Sequence, residues 1–589
     1  MQRQGRLPAS ASIACMARLK ELLSQRLAPA FAALAGEPVD PVVRRSQRAD
    51  FQADGALALA RRLGRDPREL ATGILRQARL EDVCSSVEVA GPGYLNMTVD
   101  NDLLGRMLAE MSNDDRLGVP TTDSRETVIV DYSSPNAAKE MHVGHLRSTI
   151  IGDAAVRTME WLGHTVIRQN HLGDWGTPFG MLIEHMLDIG ETEASHELSV
   201  GDLGGFYKAA RKKFDADPSF QERARRRVVL LQSGDEATHR LWSVLVERSM
   251  EYFMAVYDRL GVRLTKADFV GESYYNGQLE SVVDELDRLG LLQESEGARC
   301  VFPEGFTNRQ GEPLPLIVQK RDGGFGYAAT DLAAIRHRLR TLGGTRLLYV
   351  IGLPQQQHLE MLFEAAREAG WLAPPARAEH IGFGSVLGAD GRLLRSRAGN
   401  PIKLSDLLDE AVGRAAAAVA EKNPSLDQET RFAVAQTVGI GAVKYADLST
   451  DRAKDYVFDY ERMLSFDGNT APYLQYAHAR ICSIFRRAEI QPPHAASRVV
   501  VSEPAERALA IELLEFSTVL GDVAESLEPH RLTNYLYGLA TAFTAFYERH
   551  PVLRAEGEVR LGRLVLCDVT ARVLAVGLGL LGITTPDRM

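Results

Sequence analysis

Two histidines flank a Val-Gly pair at His142-Val143-Gly144-His145, and Lys139 stands three residues before the first of them. The stretch around them, "DYSSPNAAKEMHVGHLRSTIIGDA" (131–154), is a polar loop running into a helical pattern. The first N–H groups of a helix lack internal partners and the dipole there is positive, so such a junction attracts anions. Gly144 has no β-carbon, which lets a flat ring such as adenine lie against the backbone. Imidazoles can donate hydrogen bonds to phosphate oxygens without introducing a strong base. Together these suit an ATP attacked at its α-phosphate, whose departing pyrophosphate spreads charge over oxygens that fixed donors can meet. On residue types alone, two structural histidines in a polar loop explain the same pattern.

The flanking elements can position such a site. "ETVIVDYSSPN" reads as a short β-branched strand entering a loop, "HLRSTIIGDAAVRTMEWLGH" as an amphipathic helix, and "TVIRQNHLGDWG" as a second strand. That is a βαβ unit, hence a parallel sheet with its ligand edge at the strand C-termini. Residues about 190–262 are helical and charge-rich; strand–loop–helix units resume at "LPLIVQKRDGGFGYAATDLAAIRHRLR" and "RLLYVIGLPQQQHLEMLFEAAREAG". Beyond Pro401 the pattern is helical almost to the end, and residues about 16–125 resemble a small α+β module closing on "SSVEVAGPGYLNMTVD". The fold class expected is α/β: a Rossmann-type parallel-sheet domain with a helical insertion, a small N-terminal α+β domain and an all-helical C-terminal domain.

At 589 residues the chain is too long for one core, so several domains are expected. No apolar run reaches about 18 residues, so no membrane helix is expected. The start, "MQRQGRLPASASIACMARLK", lacks an apolar signal core; residues 1–15 read as a loosely ordered leader, with Met16 a candidate start. Five cysteines form no CxxC and no Cys/His ligand spacing, so neither structural zinc nor disulfides are expected, and the compartment reads as the cytoplasm. A net charge of −10 argues against a general polyanion binder. Local basic runs, "RHRLRTLGGTR" and "AHARICSIFRRA", read as solvated helix faces when taken singly.

HVGH resembles the HIGH signature of class I aminoacyl-tRNA synthetases, and its surroundings resemble the arginyl-tRNA synthetase version. "NHLGDWGTPFGML" (170–182), "GGFGYAATDLAAIRHR" (323–338), "FGSVLGADGRLLRSRAGNPIKLSDLL" (383–408) and "NTAPYLQYAHARI" (469–481) are similar to that family too, in order, and the likeness runs from about residue 16 to 589. The resemblance implies activation of L-arginine with ATP, Mg²⁺ assisting, and transfer to tRNA(Arg) by a monomer. It implies that His142, Gly144 and His145 hold ATP. It also implies that Asp131, Tyr327 and Asp331 face the guanidinium, while Ser134, Asn136 and Gln355 hold the other end of arginine. Such recognition suits a carboxylate, which matches the guanidinium fork. In domain terms it implies a tRNA-elbow module at 16–125, catalysis at 126–400 with an insertion about 190–315, a connective region at 401–465, and anticodon binding at 466–589.

The second class I signature, a basic loop usually written KMSKS, corresponds to Arg392-Leu393-Leu394-Arg395-Ser396, with arginine at both lysine positions. Charge is kept, but a rigid fork replaces a compact ammonium. Lys139 occupies the place of a lysine thought to share the work on pyrophosphate, so activity is the favoured expectation. The arginines raise a second reading, a duplicate synthetase for a side pathway or inhibitor resistance; a third is a tRNA-binding regulator with a silent site. Pro178 is a further departure. For tRNA, the resemblance implies Tyr473, Tyr476, Tyr547 and Met589 at the anticodon and Tyr94 and Asn96 at the elbow. Tyrosines on a helix are otherwise core residues with a wet hydroxyl.

Overall fold

The computed structural model describes residues 19–191, 194, 203–395, 402–493 and 499–589. The expected leader, 1–15, and Ser396 lie outside them. The chain forms two compact units, Met1–Thr121 with Ser465–Gly579 and Thr584–Met589, and Thr122–Leu464 with Leu580–Ile583.

In the first unit, β1 (Val43–Arg45), β2 (Phe51–Ala53), β3 (Cys84–Ala90) and β4 (Tyr94–Val99) form an antiparallel sheet in the order β1-β2-β4-β3. Alternation along β4 buries Leu95, Met97 and Val99 and leaves Tyr94 and Asn96 together on the other face. The β3–β4 turn has Gly91 and Gly93 at φ 52° and 135°, conformations side chains disfavour. Four helices, Leu19–Ala35, Gly55–Leu63, Pro67–Gln77 and Asn101–Ser112, accompany the sheet, and five more, Ala471–Ala488, Pro504–Leu514, Phe516–Ser526, Pro529–Arg549 and Gly557–Leu580, form the other segment. The two segments are joined by half-buried arginines. Arg507 reaches Asp50, Asn101 and the Val99 carbonyl, and Arg572 donates to the carbonyls of Ser112 and Asp114, both at 2.6 Å.

The second unit is built on a five-stranded parallel sheet. Its strands are β5 (Thr127–Asp131), β6 (Thr165–Leu172), β7 (Phe269–Gly271), β11 (Arg346–Tyr349) and β12 (Arg377–His380), in the order β12-β11-β5-β6-β7. A smaller antiparallel sheet, β8 (Leu292–Ser295), β9 (Ala298–Val301) and β10 (Leu316–Gln319), lies within the same unit. From β5 the chain builds outward to β6 and β7, then returns to build β11 and β12 on the other side. The order therefore reverses between β5 and β11, and a crevice opens at their C-terminal ends.

The Val143–Trp161 helix connects β5 to β6 and buries nearly its whole length, including Arg147. That guanidinium meets Asp447 at 3.2 Å and donates to the Lys454 carbonyl at 2.9 Å, with the Phe383 and Tyr456 rings beside it. One turn earlier on the same Gln428–Leu448 helix, buried Lys444 donates to the carbonyls of Leu260 and Gly582 at 2.7 and 2.6 Å. Burial lowers its pKa to about 8, with Asp153 opposing the shift. Among the described residues no helix is long and apolar enough to cross a membrane.

Candidate active site

β5 and β11 end in register, with Asp131 beside Tyr349. After Asp131 the backbone enters the left-handed region at Ser133 (φ 72°), Ser134 (φ 46°) and Ala138 (φ 60°), which costs on the order of 1 kcal/mol per non-glycine residue. Three side chains hold the loop by its N–H groups: Ser148 Oγ accepts from Ser133, Asn170 Oδ1 from Ser134, and Ser249 Oγ from Ala138, at 2.9, 2.9 and 2.7 Å. The loop is thus fixed from three elements, and it forms one wall of a cavity of about 580 Å³.

Asp131, Ser134, Asn136, Tyr327, Asp331 and Gln355 all line that cavity, together with Gly144 and His145. Tyr327 opens the Tyr327–Arg340 helix and Asp331 follows one turn later; the N-cap is Gly326, so Asp331 does not cap the helix. Gly173 approaches Asn136 so closely that a β-carbon there would collide with the amide.

At the HVGH turn both imidazoles accept backbone hydrogen bonds through Nδ1. Gly144 N–H donates to His142 at 3.0 Å, and His142 N–H donates to His145 at 3.1 Å. An accepting Nδ1 assigns the ring proton to Nε2, so each ring keeps one free donor. Burial, then the Lys139 charge, lowers the pKa of His142; burial, then His142, brings His145 down to about 4. Both rings are therefore neutral donors at neutral pH.

Lys139 places its ammonium 4.9 Å over the Tyr207 ring, and neither it nor His142 lines the cavity. Arg392 and Arg395 are exposed and also outside it. Arg392 lies on the return limb of a short hairpin, in which Gly388 N–H donates to its carbonyl at 2.8 Å and Leu394 N–H to that of Val386 at 3.0 Å, and Arg395 follows directly. Beyond the basic loop, Ile402 accepts from Val143 N–H at 3.1 Å and Leu404 N–H donates to Met141 at 2.9 Å, which stitches the chain to the HVGH turn.

The cavity also holds charges that sequence reasoning missed. Arg338, fully buried, contacts Asp131 at 2.8 Å and lies 5.0 Å from the centre of the Tyr349 ring. His358 Nε2 meets Asp331 at 2.9 Å, and that hydrogen bond raises the histidine's pKa. Glu272 has its pKa pushed up to about 7 by burial, then by Asp174 and Asp331. His171 is half-buried, its Nδ1 out of solvent and lacking a hydrogen bond, and desolvation lowers its pKa. Arg338 gave no signal, since it lies in a run that reads as a solvated basic face. Its neighbours Arg336 and Arg340 are likewise engaged by Glu285.

A second cavity, about 680 Å³, shares Glu272, Tyr327 and Thr330 with the first. Trp175, Trp242 and His239 supply its aromatic wall, with Trp175 and Trp242 edge to face at 5.9 Å. Lys320 and Gly323–Gly326 form another part of its lining.

In the first unit, the Ala471–Ala488 helix carries Tyr473, half-buried, and Tyr476, exposed. The Tyr473 ring lies 5.6 Å from Tyr537, a residue sequence reasoning did not single out, and Arg480 sits 4.6 Å over Tyr547. These aromatic and basic groups lie on two neighbouring helices of one unit. Met589 is half-buried.

A parallel sheet whose order reverses over an HVGH turn, with a helical region after it, is the architecture of a class I aminoacyl-tRNA synthetase. Family models agree: "tRNA synthetases class I (R), catalytic domain" matches residues 107–460, "DALR anticodon binding domain" 474–589, and "Arginyl tRNA synthetase N terminal domain" 17–99. The chain belongs to the arginyl-tRNA synthetase family. It is 54% identical over 578 residues to an arginine–tRNA ligase of Thermobifida fusca, covering 98% of this chain and 100% of that one. With an Escherichia coli arginine–tRNA ligase the identity is 49% over 578 residues, covering 97% and 100%. Arginyl-tRNA synthetase structures from Plasmodium falciparum and Thermus thermophilus superpose with TM-scores of 0.82 and 0.81 at 28% and 26% identity. They cover 97% of this chain in both cases, and 99% and 100% of theirs.

Proposed function

We infer that the chain is an arginine–tRNA ligase that activates arginine with ATP and then charges tRNA(Arg). The observation that carries this is the convergence of six candidate arginine contacts with Gly144 and His145 around one cavity at the reversal point of the sheet.

In the first step the arginine carboxylate attacks the α-phosphorus in line and the bond to pyrophosphate breaks. The Nε2–H groups of His142 and His145 meet the phosphate oxygens as neutral donors, so charge develops against fixed dipoles. Lys139, Arg392 and Arg395 serve the departing pyrophosphate, a task the family resemblance extends to Ser396. Little covalent chemistry falls to the protein, because holding the two reactants in line removes most of the entropic barrier.

Ser134, Asn136 and Gln355 hold the α-amino and carboxylate ends of arginine. Tyr327, Asp331 and Asp131 define its guanidinium end, with Arg338 and His358 setting the charge that the two carboxylates present. Mg²⁺ supplies charge neutralisation on the phosphates when it arrives with ATP. Asp131 and Asp331 already carry cationic or histidine partners. The fit is therefore to an ion held by phosphate and water, as is usual for Mg²⁺.

In the second step a hydroxyl of the terminal ribose, the 2′-OH by class I habit, attacks the adenylate carbonyl and AMP leaves. The second cavity, reaching Tyr327 with two tryptophans, suits the terminal adenine, since an aromatic wall accepts any base face. Tyr473, Tyr476, Tyr547 and Met589 serve the anticodon, and Tyr94 and Asn96 the elbow. The enzyme acts as a monomer in the cytosol.

Arginine-dependent ATP–pyrophosphate exchange, measured with and without tRNA(Arg), tests this reading. Exchange that requires both arginine and tRNA is the expected result. Its absence under every condition, with tRNA still bound, would leave a tRNA-binding regulator. On Arg395→Lys, a large gain would show a loop retuned by its arginines, while equal rates would assign them to compositional preference.

A further inference from the structure

On the Ala471–Ala488 helix, His478 and Cys482 are one turn apart and share a face, and the C-terminal segment brings Asp587 against them. Cys482 Sγ lies 3.8 Å from each ring nitrogen of His478 and 3.9 Å from Asp587 Oδ1. One ligand atom from each residue falls within 4.8 Å of the others, a grouping not repeated among the described residues. We propose that His478, Cys482 and Asp587 bind a thiolate-preferring divalent transition metal, zinc being the ion their donors fit, and that the ion clamps the C-terminal segment to this helix.

The spacing supports it. A tetrahedral zinc with about 2.3 Å to sulfur and about 2.0–2.1 Å to nitrogen or oxygen sets ligand-to-ligand edges of about 3.5 Å. The sulfur edges exceed that by a few tenths of an ångström, and the nitrogen–oxygen edge, within 4.8 Å, closes by rotation of the exposed Asp587 side chain on binding. The donor set excludes the hard cations, since magnesium and calcium take oxygen, whereas thiolate with imidazole selects zinc and its neighbours.

The surroundings are arranged for ligation. His478 Nδ1 lies 3.2 Å from the Pro586 carbonyl. A proton donated there leaves the Nε2 lone pair for the ion, the arrangement that orients ligating histidines elsewhere. Binding replaces the Cys482 S–H bond by an S–metal bond and releases one proton to water. Arg486 is the nearby cation that opposes an ion, but it donates to the Asp587 carbonyl at 2.8 Å rather than to the carboxylate. Asp587 is exposed, so water can complete the fourth position. The clamped segment is already tied to the helix, since Gln475 donates to the Thr584 carbonyl at 2.8 Å.

The test is titration of reduced, chelator-treated full-length protein with Co²⁺, followed by displacement with Zn²⁺. The expected result is one equivalent of Co²⁺ with a thiolate-to-cobalt charge-transfer band that Zn²⁺ removes. Cys482→Ser abolishes the band, and Asp587→Asn weakens binding by at least about tenfold. Thermal melts in chelator confirm that both variants fold. Hydrogen exchange at residues 584–589 slows with zinc in the wild type and not in Cys482→Ser. No band, or a band that survives in Cys482→Ser, overturns the site; zinc binding without slowed exchange overturns the clamp.

Discussion

Asp131 and Arg338 face each other at 2.8 Å with both side chains buried, so the cavity proposed for arginine already contains one guanidinium of its own. The Asp131 carboxylate also accepts from Ser134 Oγ at 2.9 Å. Removing either charge strands the other in a low dielectric, which typically costs about 3–5 kcal/mol. Arg338→Met is expected to lose stability of that order in denaturant melts and to raise KM for arginine. The double variant Asp131→Asn/Arg338→Met should recover part of the stability; full additivity of the two losses would show that the pair is not coupled.

The two HVGH imidazoles predict a distinctive acid limb. His145 binds its proton more weakly in the folded chain, at about 4 against an ordinary 6.5. Between those values the unfolded chain holds more protons, so stability from this residue is complete above about 6.5 and is lost as pH falls through about 4. His145→Asn should flatten that part of a stability–pH curve. In the wild type, pyrophosphate exchange should not track a titration near 6.5.

Glu272 behaves in the opposite sense. Its folded pKa of about 7 stands above the ordinary 4.5, so its stabilising contribution is complete below 4.5 and declines as pH rises through 7. A cationic substrate favours the ionised carboxylate. Arginine binding at pH 6.5 is expected to release a fraction of a proton, seen by calorimetry in buffers of different ionisation enthalpy. Glu272→Gln should abolish that release; an unchanged value would remove Glu272 from the arginine site.

Stacking on the helical end of the first unit gives a fourth handle. Truncating a base-stacking aromatic costs about 1–3 kcal/mol. Tyr476→Ala should therefore raise Kd for tRNA(Arg) by roughly five- to 150-fold, while arginine binding measured without tRNA stays unchanged. An unaltered tRNA affinity would return this exposed tyrosine to an ordinary surface role.

The sheet and its reversal were legible in part. The β-branched run Thr127-Val128-Ile129-Val130 announces β5, and a helical period follows HVGH at once. β7 was not legible, because the three residues Phe269–Gly271 are too few for alternation to register. Residue types marked the lining of the cavity, since a resemblance carries side chains with it. They could not mark Arg338, because a buried arginine with a carboxylate partner looks in sequence like any member of a basic run. The His478–Cys482–Asp587 grouping was equally hidden. His478 and Cys482 stand four residues apart, a Cys/His pair that the reading of no ligand spacing passed over, and the third member, Asp587, is far off in sequence and is brought to them only by the returning tail.

Lys444 makes the Leu580–Ile583 segment a structural part of the middle of the chain. Its buried ammonium has the Leu260 and Gly582 carbonyls as acceptors, and the second of these lies within the last eight residues. A nonsense change or proteolytic nick after Leu580 would delete one acceptor while the charge stayed inside. Quality control acting on a chain clipped there would therefore meet a second unit damaged at its middle, with a buried charge short of one acceptor.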